Sequence, residues 1–77
     1  MSHEKLVHLA FENIAAHIAN LEALRNLVES LLSRVNSIQE FIEELNSWME
    51  SAEVTMRTDI RILFNEIQRI KRKESTG

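Results

Sequence analysis

One apolar stripe runs through nearly the whole chain at alternating spacings of three and four residues. It comprises Val7, Ala10, Ile14, His17, Leu21, Leu24, Val28, Leu31, Val35, Ile38, Ile42, Leu45, Met49, Ala52, Met56, Ile60, Leu63, Ile67 and Ile70. Such spacing puts every member on one side of an α-helix and is the a/d pattern of a coiled coil, here about nine heptads long. A single helix cannot bury its own stripe, so the pattern demands other helices to pack against. The fold class expected is all-α: a long continuous amphipathic helix that forms an oligomeric coiled coil.

Punctuation along the chain supports continuity. There is no Pro, and the one Gly is the last residue, Gly77. Ser2 is placed to cap the start, with Glu4 in the first turn. Residues 74–77 read as a frayed tail of a single domain spanning 1–77. About 70 helical residues would extend roughly 105 Å. The register holds from Val7 to Met56 and then takes a step of four where three is due. This stutter brings Ile60, Leu63, Ile67 and Ile70 into the seam, keeps Asp59 out of it, and predicts a straightened or loosened segment over Ala52–Ile60.

The alternative is a helical hairpin that dimerises into a four-helix bundle. Ser37-Ile38-Gln39-Glu40 and Ser47-Trp48-Met49-Glu50 both have the Ser-x-x-Glu form of a capping box, and Asn36-Ser37 would make the corner. The unbroken heptad phase through both serines favours the continuous helix.

The stripe is wider than a two-stranded seam needs. Leu6, Leu27, Phe41 and Trp48 fall at g positions, and Phe11, Ile18 and Leu32 at e. Burying each is worth ~1.5–3 kcal/mol, which outweighs the dimer preference set by Val and Ile at a. Three or four helices in cross-section are therefore expected, as a homotrimer or homotetramer.

Composition removes several classes of function. Without Cys there is no disulfide framework, thiolate metal site or cysteine nucleophile. No window approaches ~18 uninterrupted apolar residues, so no membrane span is expected. The N-terminus lacks the layout of a signal peptide, which suits an intracellular setting, cytoplasmic, nuclear or virus-internal. No Ser-His-Asp arrangement, glycine-rich phosphate cradle or metalloprotease helix is present, and neither an enzyme nor a cofactor is expected. Glu4, His8 and Glu12 share a helical face at metal-ligand spacing, but such a trio is common on solvated helices, and no metal site is assigned. His17, at a d position, reads as a core polar residue that fixes register.

Charge is unevenly placed. Residues 1–53 carry nine Glu against Lys5, Arg25 and Arg34; residues 54–77 carry six basic residues against Asp59, Glu66 and Glu74. Acid early and base late suits the macrodipole of a single helix. The cluster Arg69, Lys71, Arg72 and Lys73 is also a candidate contact for an anionic partner, nucleic acid included. Phe41 and Trp48 form a candidate partner face, since large aromatics beside a seam can anchor another protein.

From Ala23 onward the apolar pattern, with Ile38, Phe41, Ile42, Met56, Ile60, Leu63, Ile67 and Ile70, is similar to that of the smallest helical subunit of the WAVE actin-regulatory complex. The Asp-Trp-x-Asn-Arg-Glu and Leu-Asn-Glu-Lys-Leu stretches of that family are missing here. The resemblance implies only that short helices of this kind live inside larger assemblies. The function expected is a non-enzymatic oligomerisation or assembly module. The alternatives are a small adaptor or scaffold subunit completed by other helical proteins, and a regulatory binder of nucleic acid through the basic C-terminal end.

Overall fold

The computed structural model describes residues 2–76, with the side chains of residues 2–74. The described chain is all-α, but it is not one helix. Four helices follow in order: α1 (His3–Ile14), α2 (Leu21–Leu32), α3 (Ile38–Ser51) and α4 (Val54–Thr76), with a 3-10 turn over Ala15–His17 after α1. The extents are 35 × 26 × 18 Å, against the ~105 Å expected of a continuous helix. The 23 residues of α4 account for the longest dimension at 1.5 Å per residue. It is the spine of the fold: α1 lies chiefly against it, α3 packs along it, and α2 closes over α3 and α4.

The stripe is satisfied inside this one chain. Val7, Ala10, Ile14, Leu24, Val28, Leu31, Val35, Ile42, Leu45, Ile60, Leu63, Ile67 and Ile70 are all buried in a single core. Leu6, Phe11 and Phe41 from the flanking positions join them. The wide apolar arc thus meets the faces of its own neighbours, as in a globular bundle.

Each helix break has a local cause. At the last corner of the first half, Ser37 is the N-cap of α3, and its hydroxyl accepts from the Glu40 N–H at 3.1 Å. The Glu40 carboxylate reaches back to accept from the Asn36 N–H at 2.8 Å. This reciprocal pair is the capping box the sequence offers there. The α2 terminus is closed by Arg34 and Val35 N–H groups, both donating to the Leu31 carbonyl. The second Ser-x-x-Glu motif, at Ser47, lies within α3 and starts nothing. Between α3 and α4 the chain breaks at Ala52, which is extended at φ −79°, ψ 154°. The Arg57 guanidinium donates to the Ala52 carbonyl at 3.0 Å and satisfies an acceptor the helix has released. The loosened segment expected over Ala52–Ile60 is therefore a complete break at its start, with regular helix after it.

The break between α1 and α2 depends on Asp59. The register shift should have kept this residue out of the core; instead it is 2% exposed. Its carboxylate accepts from the Ala19 N–H at 3.2 Å, the Asn20 N–H at 2.9 Å and the Asn20 side-chain amide at 3.3 Å. Those backbone donors belong to the linker entering α2 and would otherwise lack partners. A buried carboxylate is tolerable because these bonds replace its hydration. His17 is displaced by the same corner. It ends the 3-10 turn and is exposed, so it is not the core register residue expected at that d position.

Two stability measurements check this account. Asp59→Ala should cost about 2–3 kcal/mol in urea unfolding, because it leaves part-buried N–H groups without an acceptor. Ser37→Ala should cost about 1 kcal/mol as a lost cap, while Ser47→Ala, with the same local motif, should stay within about 0.5 kcal/mol of the native chain.

Candidate functional site

The sequence offered three places where chemistry or recognition could reside, and the fold treats them differently. Phe41 and Trp48 part company: one helix carries both, but Phe41 is fully buried in the core, whereas Trp48 is 47% exposed. Trp48 borders an open, largely apolar groove of about 480 Å³. One wall is the face of α2 carrying Ala23, Leu27 and Ser30, spaced four and three residues apart. The other is made by Trp48 and Ala52 around the α3–α4 joint and Met56 on the first turn of α4.

The groove exists because α3 stops at Ala52. A continuous helix would have carried Met56 forward on the same axis as Trp48; the bend folds it back beside them. Small side chains at Ala23, Ser30, Ser51 and Ala52 keep the groove open. Next in sequence to the groove-lining Glu53 stands Val54, 73% exposed, the most exposed of the large apolar residues described. Glu53 lines the groove, and the Arg57 guanidinium sits against the carbonyl of Ala52. Apolar surface and both signs of charge therefore meet at one corner. Val54 lies off the stripe, and the only hint of it in the sequence is an isolated valine between Glu53 and Thr55.

Of the seam residues named as an oligomer interface, Leu21, Ile38, Met49 and Met56 are partly buried against the core rather than enclosed by it. Met56 alone among these four lines the groove.

The metal-like trio on α1 does not act together. His8 Nε2 lies 3.2 Å from Glu29 Oε1 across the α1–α2 interface, and both side chains are more than half exposed. Arg25 lies 5.7 Å above the Phe11 ring in the same region. These contacts lace two helices together at the surface, where each ion pair or cation–π contact is worth at most about 1 kcal/mol. Among the described residues no group of three or more His, Asp or Glu is placed to hold a metal ion. No helix among them is long and apolar enough to cross a membrane.

The basic cluster is partly committed within the fold. Arg69 grips Glu66 through two bonds, 3.0 Å from Nε and 2.6 Å from Nη2. Glu66 also accepts from the Asn13 side-chain amide at 2.9 Å, joining α4 to α1. The hydrogen bond from Arg69 is the main reason the Glu66 carboxyl titrates at about 2 rather than 4.5, with Asn13 adding to it against a desolvation penalty. The same pairing raises the Arg69 guanidinium above its ordinary value. Lys71 is half-buried, and Arg72 and Lys73 are exposed.

A lowered carboxyl pKa stabilises the fold when the group is ionised, so this contribution is complete above pH 4.5 and fades as pH falls toward 2. In urea titrations, the native chain should be more stable than Glu66→Gln at pH 7. That difference should shrink steadily between pH 4.5 and 2; an equal difference at all pH values would show that the Glu66 charge is not what matters.

No family model matches the chain, and no solved structure matches it. Among curated proteins, the uncharacterized protein MJ1579 of Methanocaldococcus jannaschii is 30% identical over 74 residues, which make up 95% of this chain and 100% of the relative. With the two sequences aligned over practically their whole lengths, the chain belongs to the same family as MJ1579.

Proposed function

We propose that the protein is a non-enzymatic assembly module that works inside the cell by docking another helical surface against the Trp48 corner. The observation that carries this reading is the concentration of exposed apolar surface there: Trp48 at 47% and Val54 at 73%, beside an open apolar groove. Here the exposed tryptophan is not isolated but borders an apolar groove, and tryptophan is enriched at the energetic centres of protein interfaces. The association proposed joins folded globules through a local patch. It does not require the whole stripe, since most of the stripe is occupied in the core.

The polar clefts elsewhere support this reading less well. The His8–Glu29 pair lies at the surface with both side chains more than half exposed, in a small cleft shared with Glu12 and Arg25. A nucleic-acid role would draw on Arg69, Lys71, Arg72 and Lys73, and Arg69 already spends two donors on Glu66.

The test is a photo-crosslinking amino acid placed at Val54 and irradiated in living cells. A discrete covalent adduct is expected, and it should be lost when Trp48→Ala is added. An adduct yield no greater than that from the same crosslinker at exposed, polar Gln39 would overturn the reading.

A further inference from the structure

We infer that the occupant of the Trp48 groove is a second copy of this chain, related by a two-fold axis that passes near Val54. The inference rests on the interaction face proposed above and names its partner.

A two-fold interface is made of the same patch twice, so whatever one copy presents the other must receive. Most of this surface fails that requirement. The α2–α3 side carries Glu22, Glu29, Glu40, Glu43, Glu44 and Glu50 against Arg25 and Arg34, the latter paired with Glu44, and its net negative charge disfavours its own image. The C-terminal half of α4 carries Arg69, Lys71, Arg72 and Lys73 against Glu66 and Glu74, and its net positive charge does the same. The sign of the charge changes at the α3–α4 joint, between Glu53 and Arg57. That joint is also where the apolar groove opens and where Val54 projects.

The corner therefore contains every part of a self-complementary contact. Val54 is the protrusion and the groove beside it is the recess. Glu53 and Arg57 stand on either side of Val54 in sequence; Glu53 lines the groove, and Arg57, whose guanidinium donates to the groove-lining Ala52, lines the separate cleft formed with Glu50 and Arg61. Across a two-fold axis near Val54, each valine enters the groove of the other copy, and each Glu53 faces the opposite Arg57. This charged contact occurs twice by symmetry and sets opposite charges together. Small side chains at Ser51 and Ala52 allow the two joints to approach closely.

The size of the patch sets the strength. One chain exposes 4908 Å² in all. A standard stable interface covers about 800 Å² per partner, roughly a sixth of that surface. A corner smaller than this gives a weak, reversible dimer, with a dissociation constant on the order of 10–100 µM.

Sedimentation equilibrium of the full chain over ~5 µM to 1 mM tests the inference. The expected result is a rise from 9.0 kDa to about twice that mass. Val54→Glu should weaken the dimer at least tenfold with no change in helicity or unfolding midpoint, because the residue is 73% exposed in the single chain. Glu53→Arg and Arg57→Glu should each weaken it, and the double exchange should restore dimerisation, which mere damage to the α3–α4 joint would not do. A mass of 9.0 kDa at all concentrations, or a Val54→Glu protein that dimerises like the native chain, overturns the inference. A Val54 crosslink in cells to a protein of another mass overturns the second copy as partner but leaves the assembly reading standing; no crosslink at all removes both.

Discussion

The carboxylate of Asp59 sits where three helices must agree on a position. It is carried by the first turns of α4, it is almost inaccessible to water, and it takes three hydrogen bonds from Ala19 and Asn20 in the corner between α1 and α2. An ionised group in such a place is costly unless its hydration is replaced, and here the replacement donors are ones a helix start leaves idle. The Asn20 side chain makes no cap bond to its own helix, because its amide is turned to Asp59. The angle at which α2 leaves the corner is thereby tied to α4. With the corner fixed, α1 lies back along α4 and brings Ile14 and Val7 onto Ile60, Leu63 and Ile67 in one core.

Much of this was readable from the order of the residues, and the parts that were not have physical reasons. The apolar stripe names most of the core correctly, because residues that would face a partner helix in a rod face a neighbouring helix in a bundle; the period is the same. Ser2 caps α1, accepting from the Lys5 N–H, and Ser37 caps α3. What periodicity cannot show is when a capping motif is used. Ser37 and Ser47 present the same motif, but Ser37 follows a run in which Val35 is the last core residue, and Ser47 lies where Leu45 and Met49 carry the core onward. Asp59 was set aside because a charged group is foreign to a coiled-coil seam. A folded-back chain has corners, however, and corners bring backbone N–H groups into the interior that a straight helix never exposes there. His17 is the converse case: its place in the stripe marked it for the core, and the corner turned it outward.

The candidate site was legible by one residue out of its several parts. Trp48 stood out as a large aromatic flanking the seam, but its groove is made by the α3–α4 bend, which brings Met56 around to it. The charge asymmetry along the chain also changes meaning in the folded molecule. In a rod it would complement a single macrodipole; in the bundle it becomes a boundary on the surface, acidic on α2 and α3, basic on α4, with the exposed apolar corner at the line between them. Glu66 shows that part of the basic end is spent internally, binding α4 to α1 through Asn13.

Among the described residues no backbone angle is positive in φ and no peptide bond is cis. Every corner is made from conformations open to any amino acid, and no glycine or proline enforces one. The corners are held by side chains instead: Asp59 on Asn20, Ser37 on the Glu40 N–H, Glu40 on the Asn36 N–H, Arg57 on Ala52. At the α3–α4 break Ala52 is extended although alanine is the strongest helix former. For this chain a bundle and a rod are thus separated by a handful of polar side chains. A passage between the two shapes would run through these few polar positions, the buried Asp59 among them, with the hydrophobic stripe left untouched.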